Sequence, residues 1–271
     1  MRKLFLSLTI VLGLSLLASC NPDQSTEVTN DSSTLALVAN GEDFVREGFI
    51  AKDGWDISFN HVYVNLANVT AYETDPPFNA ETDKEIKAKK QVTLLDTAKT
   101  LDLAEGDENA PPILVNKINA EPGFYNALSW SLVRGNEGVT GNHSIILEGV
   151  AQKDGKTVNF LVSLNPELSY QCDEFIGETR KGILTEKSTA ELEITMHFDH
   201  IFGDQQLSLD DELNLGALGF EPLAKLAQND SLKVTVEELS QKLTADEYQR
   251  LTTAINSLGH VGEGHCHEKS G

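Results

Sequence analysis

The segment that most restricts the fold is Lys153-Asp154-Gly155-Lys156. Asp-Gly favours the left-handed backbone of a two-residue hairpin turn, because its twist matches that of two antiparallel strands. On one side Ile145, Leu147 and Gly149 alternate with other residues, and on the other side Val158, Phe160 and Val162 do the same. Period-two alternation marks a strand with one buried face, so this segment is predicted to be a hairpin.

The same period recurs along most of the chain. Residues 55–61 alternate large apolar with polar positions, and after His61 the apolar phase moves to Val62, Val64 and Leu66, which predicts a bulge. Further strands are expected over 92–95, 113–118, 124–132 and 190–198; the last puts Leu192, Ile194, Met196 and Phe198 on one face. Asp75-Pro76-Pro77 and Glu121-Pro122-Gly123 read as turns, and 81–90 as a charged loop or a small solvated helix. Beyond Asp204 the pattern becomes helical. Phe220, Leu223, Leu226 and Ala227 predict a helix over 219–228, and Thr235-Val236-Glu237-Glu238 and Thr244-Ala245-Asp246-Glu247 are capping boxes. The second box opens a helix with the stripe Tyr248, Leu251, Ile255 and Leu258, and Gly259 is expected to end it. The predicted fold class is mainly β, an antiparallel β-sandwich over 35–204 with a small C-terminal helical appendage over 205–271 that ends in a His/Cys tail.

The N-terminus predicts the compartment. Arg2 and Lys3 precede an apolar run over 4–17 that is too short to span a bilayer, and Leu17-Ala18-Ser19-Cys20 matches the bacterial lipobox. Residues 1–19 are therefore read as a lipoprotein signal peptide and Cys20 as the lipidated residue. Several acyl chains, each methylene contributing ~0.8 kcal/mol, would anchor the protein stably to a membrane. Residues 20–34 are polar and read as a flexible tether. The expected location is the cell envelope, lipid-anchored and facing the periplasm or the cell exterior. A formal net charge of −21 argues against nucleic acid as a partner, since phosphate binding needs a basic surface; it reads first as a well-solvated surface, with solubility in a saline medium or the attraction of cations as the alternatives.

Residues 55–69, Thr93-Leu94-Leu95-Asp96 and Glu121-Pro122-Gly123-Phe124-Tyr125-Asn126-Ala127-Leu128 are similar in order and spacing to the MbnP-like periplasmic proteins. The resemblance covers residues 40 to 200. It implies a secreted β-sandwich with a role in copper handling.

Five of the seven histidines fall at or after position 197. His197 and His200 lie at the end of the last sandwich strand, His260 follows the last helix, and His265 and His267 flank Cys266. Imidazoles from two distant segments are how a folded zinc or copper site is assembled, so all five are candidate ligands, with Asp199 and Asp204 as candidates to orient them. One condition applies. In an extended strand His197 and His200 point to opposite faces, so the chain must turn near Phe198 for both to reach one ion. The alternative is a solvated surface pair, and for His260 a favourable position at a helix C-terminus. With Cys20 acylated, Cys172 and Cys266 remain. A disulfide between them is favoured over a thiolate ligand at Cys266 in an exported chain. His61, on the face of Trp55, Ile57 and Phe59, reads as a hydrogen-bonded core histidine, His143 as solvated, and Trp55 and Trp130 as core.

Enzyme motifs are poor. His197-Phe198-Asp199-His200 matches half of the His-x-His-x-Asp-His pattern of metallo-β-lactamase-like hydrolases, but Thr195 stands in place of the first histidine. No nucleophile elbow, phosphate-binding loop or His-Glu-x-x-His occurs. The favoured function is a lipoprotein that binds a transition metal for sequestration, delivery or sensing. A structural or adhesive envelope lipoprotein is the alternative, and a metal-dependent hydrolase a more distant one.

Overall fold

The computed structural model describes residues 32–173, 181–262, 264 and 266–269. The signal peptide, Cys20, most of the tether and His265 lie outside the described residues. In chain order the first strands are β1 (Thr34–Asn40), β2 (Phe49–Ile50), β3 (Asp56–Thr74), β4 (Ala88–Leu95), β5 (Lys99–Asp102), β6 (Ile113–Asn119), β7 (Gly123–Phe124) and β8 (Ala127–Leu132). They are followed by β9 (Ile145–Lys153), β10 (Lys156–Leu164), β11 (Leu168–Cys172), β12 (Ile183–Leu184), β13 (Thr189–Met196), β14 (Ser231–Thr235), β15 (Gly259–His260) and β16 (Cys266–Glu268). Short helices α1 (Glu42–Glu47), α2 (Asp199–Phe202), α3 (Glu212–Gly216), α4 (Glu221–Ala224) and α5 (Val236–Lys242) precede the longer α6 (Ala245–Asn256).

The mainly β architecture expected from the alternation is what the structure shows. One sheet runs β15-β13-β1-β6, and a larger one runs β14-β10-β9-β3-β8-β11-β16 with β2, β4 and β5 also paired to β3. Each sheet is mixed, with one parallel pair: β1 with β13, and β10 with β14. Leu35, Leu37 and Ala39 of the smaller sheet and Ile57, Val62, Val64 and Leu66 of the larger join one hydrophobic core. The Asp154-Gly155 hairpin forms with both residues at positive φ, and its arms β9 and β10 pair from Lys153↔Lys156 to Ile145↔Leu164.

The bulge also forms. The β3–β9 register slips between Phe59 and His61, so the core-facing parity of β3 changes from Ile57 to Val62, Val64 and Leu66, before a second shift between Ala67 and Thr70 returns it to Val69 and Ala71. That slip corrects the reading of His61. Its side chain is 43% exposed and its Nδ1 lies 2.6 Å from an Asp102 carboxylate oxygen, so it is a paired surface histidine that stacks on Tyr63. His143 is only partly exposed, while Trp55 and Trp130 are buried as expected.

The segment from 205 onward carries helices, but it also carries β14, β15 and β16, which are edge strands of the two main sheets. The helix expected over 219–228 shortens to α4: after Lys225 the bonds tighten, the Leu226 amide donating to the Leu223 carbonyl and the Ala227 amide to the Ala224 carbonyl, and Asn229 and Asp230, both at positive φ, then reverse the chain into β14. Both capping boxes form, at Thr235/Glu238 and Thr244/Glu247. Gly259 does not end α6, which stops at Asn256 with Ser257 as its cap. Gly259 lies instead against the Trp130–Tyr170 ring pair, where a Cβ would stand 2.6 Å from the indole and 2.9 Å from the phenol ring. The Tyr170 hydroxyl donates to the Asn256 carbonyl at the end of α6, so the buried pair fixes both the helix terminus and the strand that follows it.

Candidate metal centre

The turn required by the sequence reading is present. β13 ends at Met196, and α2, a single helical turn, starts at Asp199. The His200 amide donates to the His197 carbonyl and the Ile201 amide to that of Phe198, which closes the turn. Phe198, Ile201 and Phe202 are buried and hold it against the core. Residues three apart on such a turn share a face, so His197 and His200 point the same way.

β15 brings the third histidine. It pairs antiparallel with β13 through Thr195↔His260 and Met196↔Gly259. The His197 amide donates to the Leu258 carbonyl, and the Gly262 amide to the Thr195 hydroxyl. His197, His200 and His260 thereby offer ring nitrogens that all lie within 4.8 Å of one another. The His197 and His260 rings stack with centroids 4.0 Å apart, and His200 sits edge-on to His260 at 5.5 Å.

Electrostatics favour the neutral, metal-binding form at the centre of the cluster. Burial of His197, reinforced by His260 and His200 beside it, pushes its pKa down to about 3. His200 is oriented by a hydrogen-bond relay. The Ser257 hydroxyl donates to the Ala254 carbonyl, so its oxygen is left to accept from His200 Nδ1, 2.9 Å away. That assignment places the proton on Nδ1 and frees Nε2 as a ligand atom. The His197 Nε2 is buried without a hydrogen bond, although an oxygen of Glu42, from α1, stands 3.2 Å from it. A buried imidazole nitrogen without a hydrogen bond is the mark of a group suited to another partner. Beside the cluster a cleft of about 320 Å³ is lined by His200, Glu212, Leu213, Gly216, Thr253, Ala254 and Ser257.

The other sequence candidates fall elsewhere. His267 lies on β16 opposite Gln171, with its ring 6.0 Å from Phe78, and is not one of the three clustered histidines. The Asp199 carboxylate turns back to accept the His200 backbone amide, and burial raises its pKa. Asp204 accepts the Gln206 amide and is held by Asn214, so neither aspartate hydrogen-bonds an imidazole of the cluster. Among the described residues, Ser257 stands beside His200 and Glu42 beside His197, and neither carries a signal in the sequence that singles it out.

Cys172 and Cys266 form a disulfide across the β11–β16 pair, closing 94 residues of chain. The thiolate reading of Cys266 is thereby replaced. A structural disulfide, here between buried Cys172 and half-buried Cys266, belongs to oxidising compartments and points to an extracytoplasmic protein. Among the described residues no helix is long and apolar enough to cross a membrane. No family model, curated protein or solved structure matches this chain.

Proposed function

We propose that the protein is an exported lipoprotein, anchored through Cys20, that binds a transition metal through His197, His200 and His260 in metal sequestration, delivery or sensing. The observation that carries this reading is the convergence of three imidazoles from two segments within 4.8 Å, with one of them oriented by Ser257. Three nitrogen donors with a neighbouring cleft suit zinc, copper or nickel. The acidic charge of the chain supports the capture of cations, and the resemblance to MbnP-like proteins points toward copper handling.

Elemental analysis of the full chain, purified without chelator, tests it. About one equivalent of a transition metal is expected per chain. The double variant His197→Ala/His200→Ala is expected to bind at least about tenfold more weakly, the low end for loss of residues around a metal. No metal even after reconstitution, or an unchanged affinity in the double variant, would leave a structural envelope lipoprotein as the better reading.

A further inference from the structure

We propose that Glu42 is the fourth ligand of this centre, which makes it a closed three-nitrogen, one-oxygen site for a borderline divalent cation of the zinc class. The inference rests on the triad reading above and deepens it. Three observations carry it.

The first is distance. An imidazole nitrogen and a carboxylate oxygen bound to one tetrahedral ion at ~2.0–2.2 Å lie ~3.3–3.5 Å apart. The Glu42 oxygen and His197 Nε2 are 3.2 Å apart, and that nitrogen nevertheless makes no hydrogen bond. Two such atoms at this separation fit donors that converge on a third centre better than donors aimed at each other.

The second is backbone conformation. Glu42 has a φ of 59°, in the left-handed region that glycine or asparagine fills at lower cost, and its amide is held by the Asn40 side chain. Placing a glutamate there puts its carboxylate beside His197 from a turn that another residue would form more easily.

The third is donor chemistry. Cys266 is tied up in the disulfide and Met196 is packed in the core, so among the described residues this site has no soft sulfur donor. Imidazoles with one carboxylate suit a borderline divalent ion, whereas thiolates and thioethers select Cu(I). Four protein ligands also leave no open position, as in sites that hold an ion rather than activate a water.

The test uses the full chain and compares wild type, Glu42→Gln, Glu42→Gly and His197→Ala/His200→Ala by competitive Zn²⁺ titration, with Co²⁺ absorption reporting geometry. Glu42→Gln keeps the shape but removes the anionic donor. It is expected to lower Zn²⁺ affinity at least about tenfold and to weaken the intense visible bands of tetrahedral Co²⁺. Glu42→Gly is expected to lose affinity in the same way while its metal-free melting midpoint is no lower than that of wild type. A lower metal-free midpoint in Glu42→Gly, with Zn²⁺ affinity kept in Glu42→Gln, would make Glu42 a structural residue and overturn the proposal. Unchanged Zn²⁺ affinity in Glu42→Gln alone overturns it too, and leaves the triad standing if the double histidine variant still loses binding. If neither variant changes affinity, the triad reading itself fails.

Discussion

Replacing Cys172 and Cys266 together by alanine should be the most destabilising change that spares the metal centre. The bridge closes 94 residues, and in the chain-entropy model a loop of that size contributes ~4.7 kcal/mol at 25 °C by restricting the unfolded chain. Against a total stability of roughly 5–15 kcal/mol that is a third or more of what holds a domain folded. For a domain of this size each kcal/mol moves the melting midpoint by about 2–4 °C, so a loss of roughly 9–19 °C is expected. Guanidinium unfolding of the oxidised wild type and the double variant measures the effect directly. The midpoint should fall, and the dependence on denaturant should steepen, because the released unfolded chain exposes more surface. Metal affinity should persist, since His260 is held to β13 by its own pairing and by the Leu258 carbonyl, upstream of the bridge. A loss under about 1 kcal/mol with an unchanged slope would refute the loop-entropy reasoning. A parallel loss of metal binding would show instead that the bridge positions β15.

Two further predictions concern the supports of the site and of the fold. Gly259→Ala drives a methyl into the buried Trp130 and Tyr170 rings, and overpacking of this kind costs about 1–3 kcal/mol; thermal unfolding should show it, and because Gly259 adjoins His260 the metal affinity should fall in the same variant. Asp53 has its pKa raised by burial, one of its oxygens is buried without a partner, and the other accepts the Glu221 amide. A folded pKa above the unfolded one means that stability is lost as pH rises through the folded value, so Asp53→Asn should gain on wild type at pH 7 and lose that advantage toward pH 3.5 in paired denaturation curves.

How much could be read in the sequence depended on whether a strand had two different faces. β9, β10 and β13 each bury one face more than the other and were legible from their alternation. β1 was not recognised as a strand, because it lies between β13 and β6 with six successive buried residues and so shows an apolar run without a period. β14 was hidden by the helix pattern before it and the capping box after it; residues 225–230, with positive φ at Asn229 and Asp230, separate it from α4. At the site, the spacing of His197 and His200 and the expected turn at Phe198 were visible locally. His260 was a candidate by residue type, but its place opposite Thr195 depends on a strand of two residues. Glu42 and Ser257 were invisible, because nothing within a few residues of either marks it as standing beside a histidine brought in by a distant strand.

The parallel partnership of β1 with β13 sets the timetable on which the chain can fold. Thr34 and Thr189 face each other with hydroxyls in contact across 155 positions of sequence. Non-local pairing of this kind must close a long loop before any contact rewards it, and it slows folding. The opening strand therefore has no parallel neighbour until most of the polypeptide has been delivered.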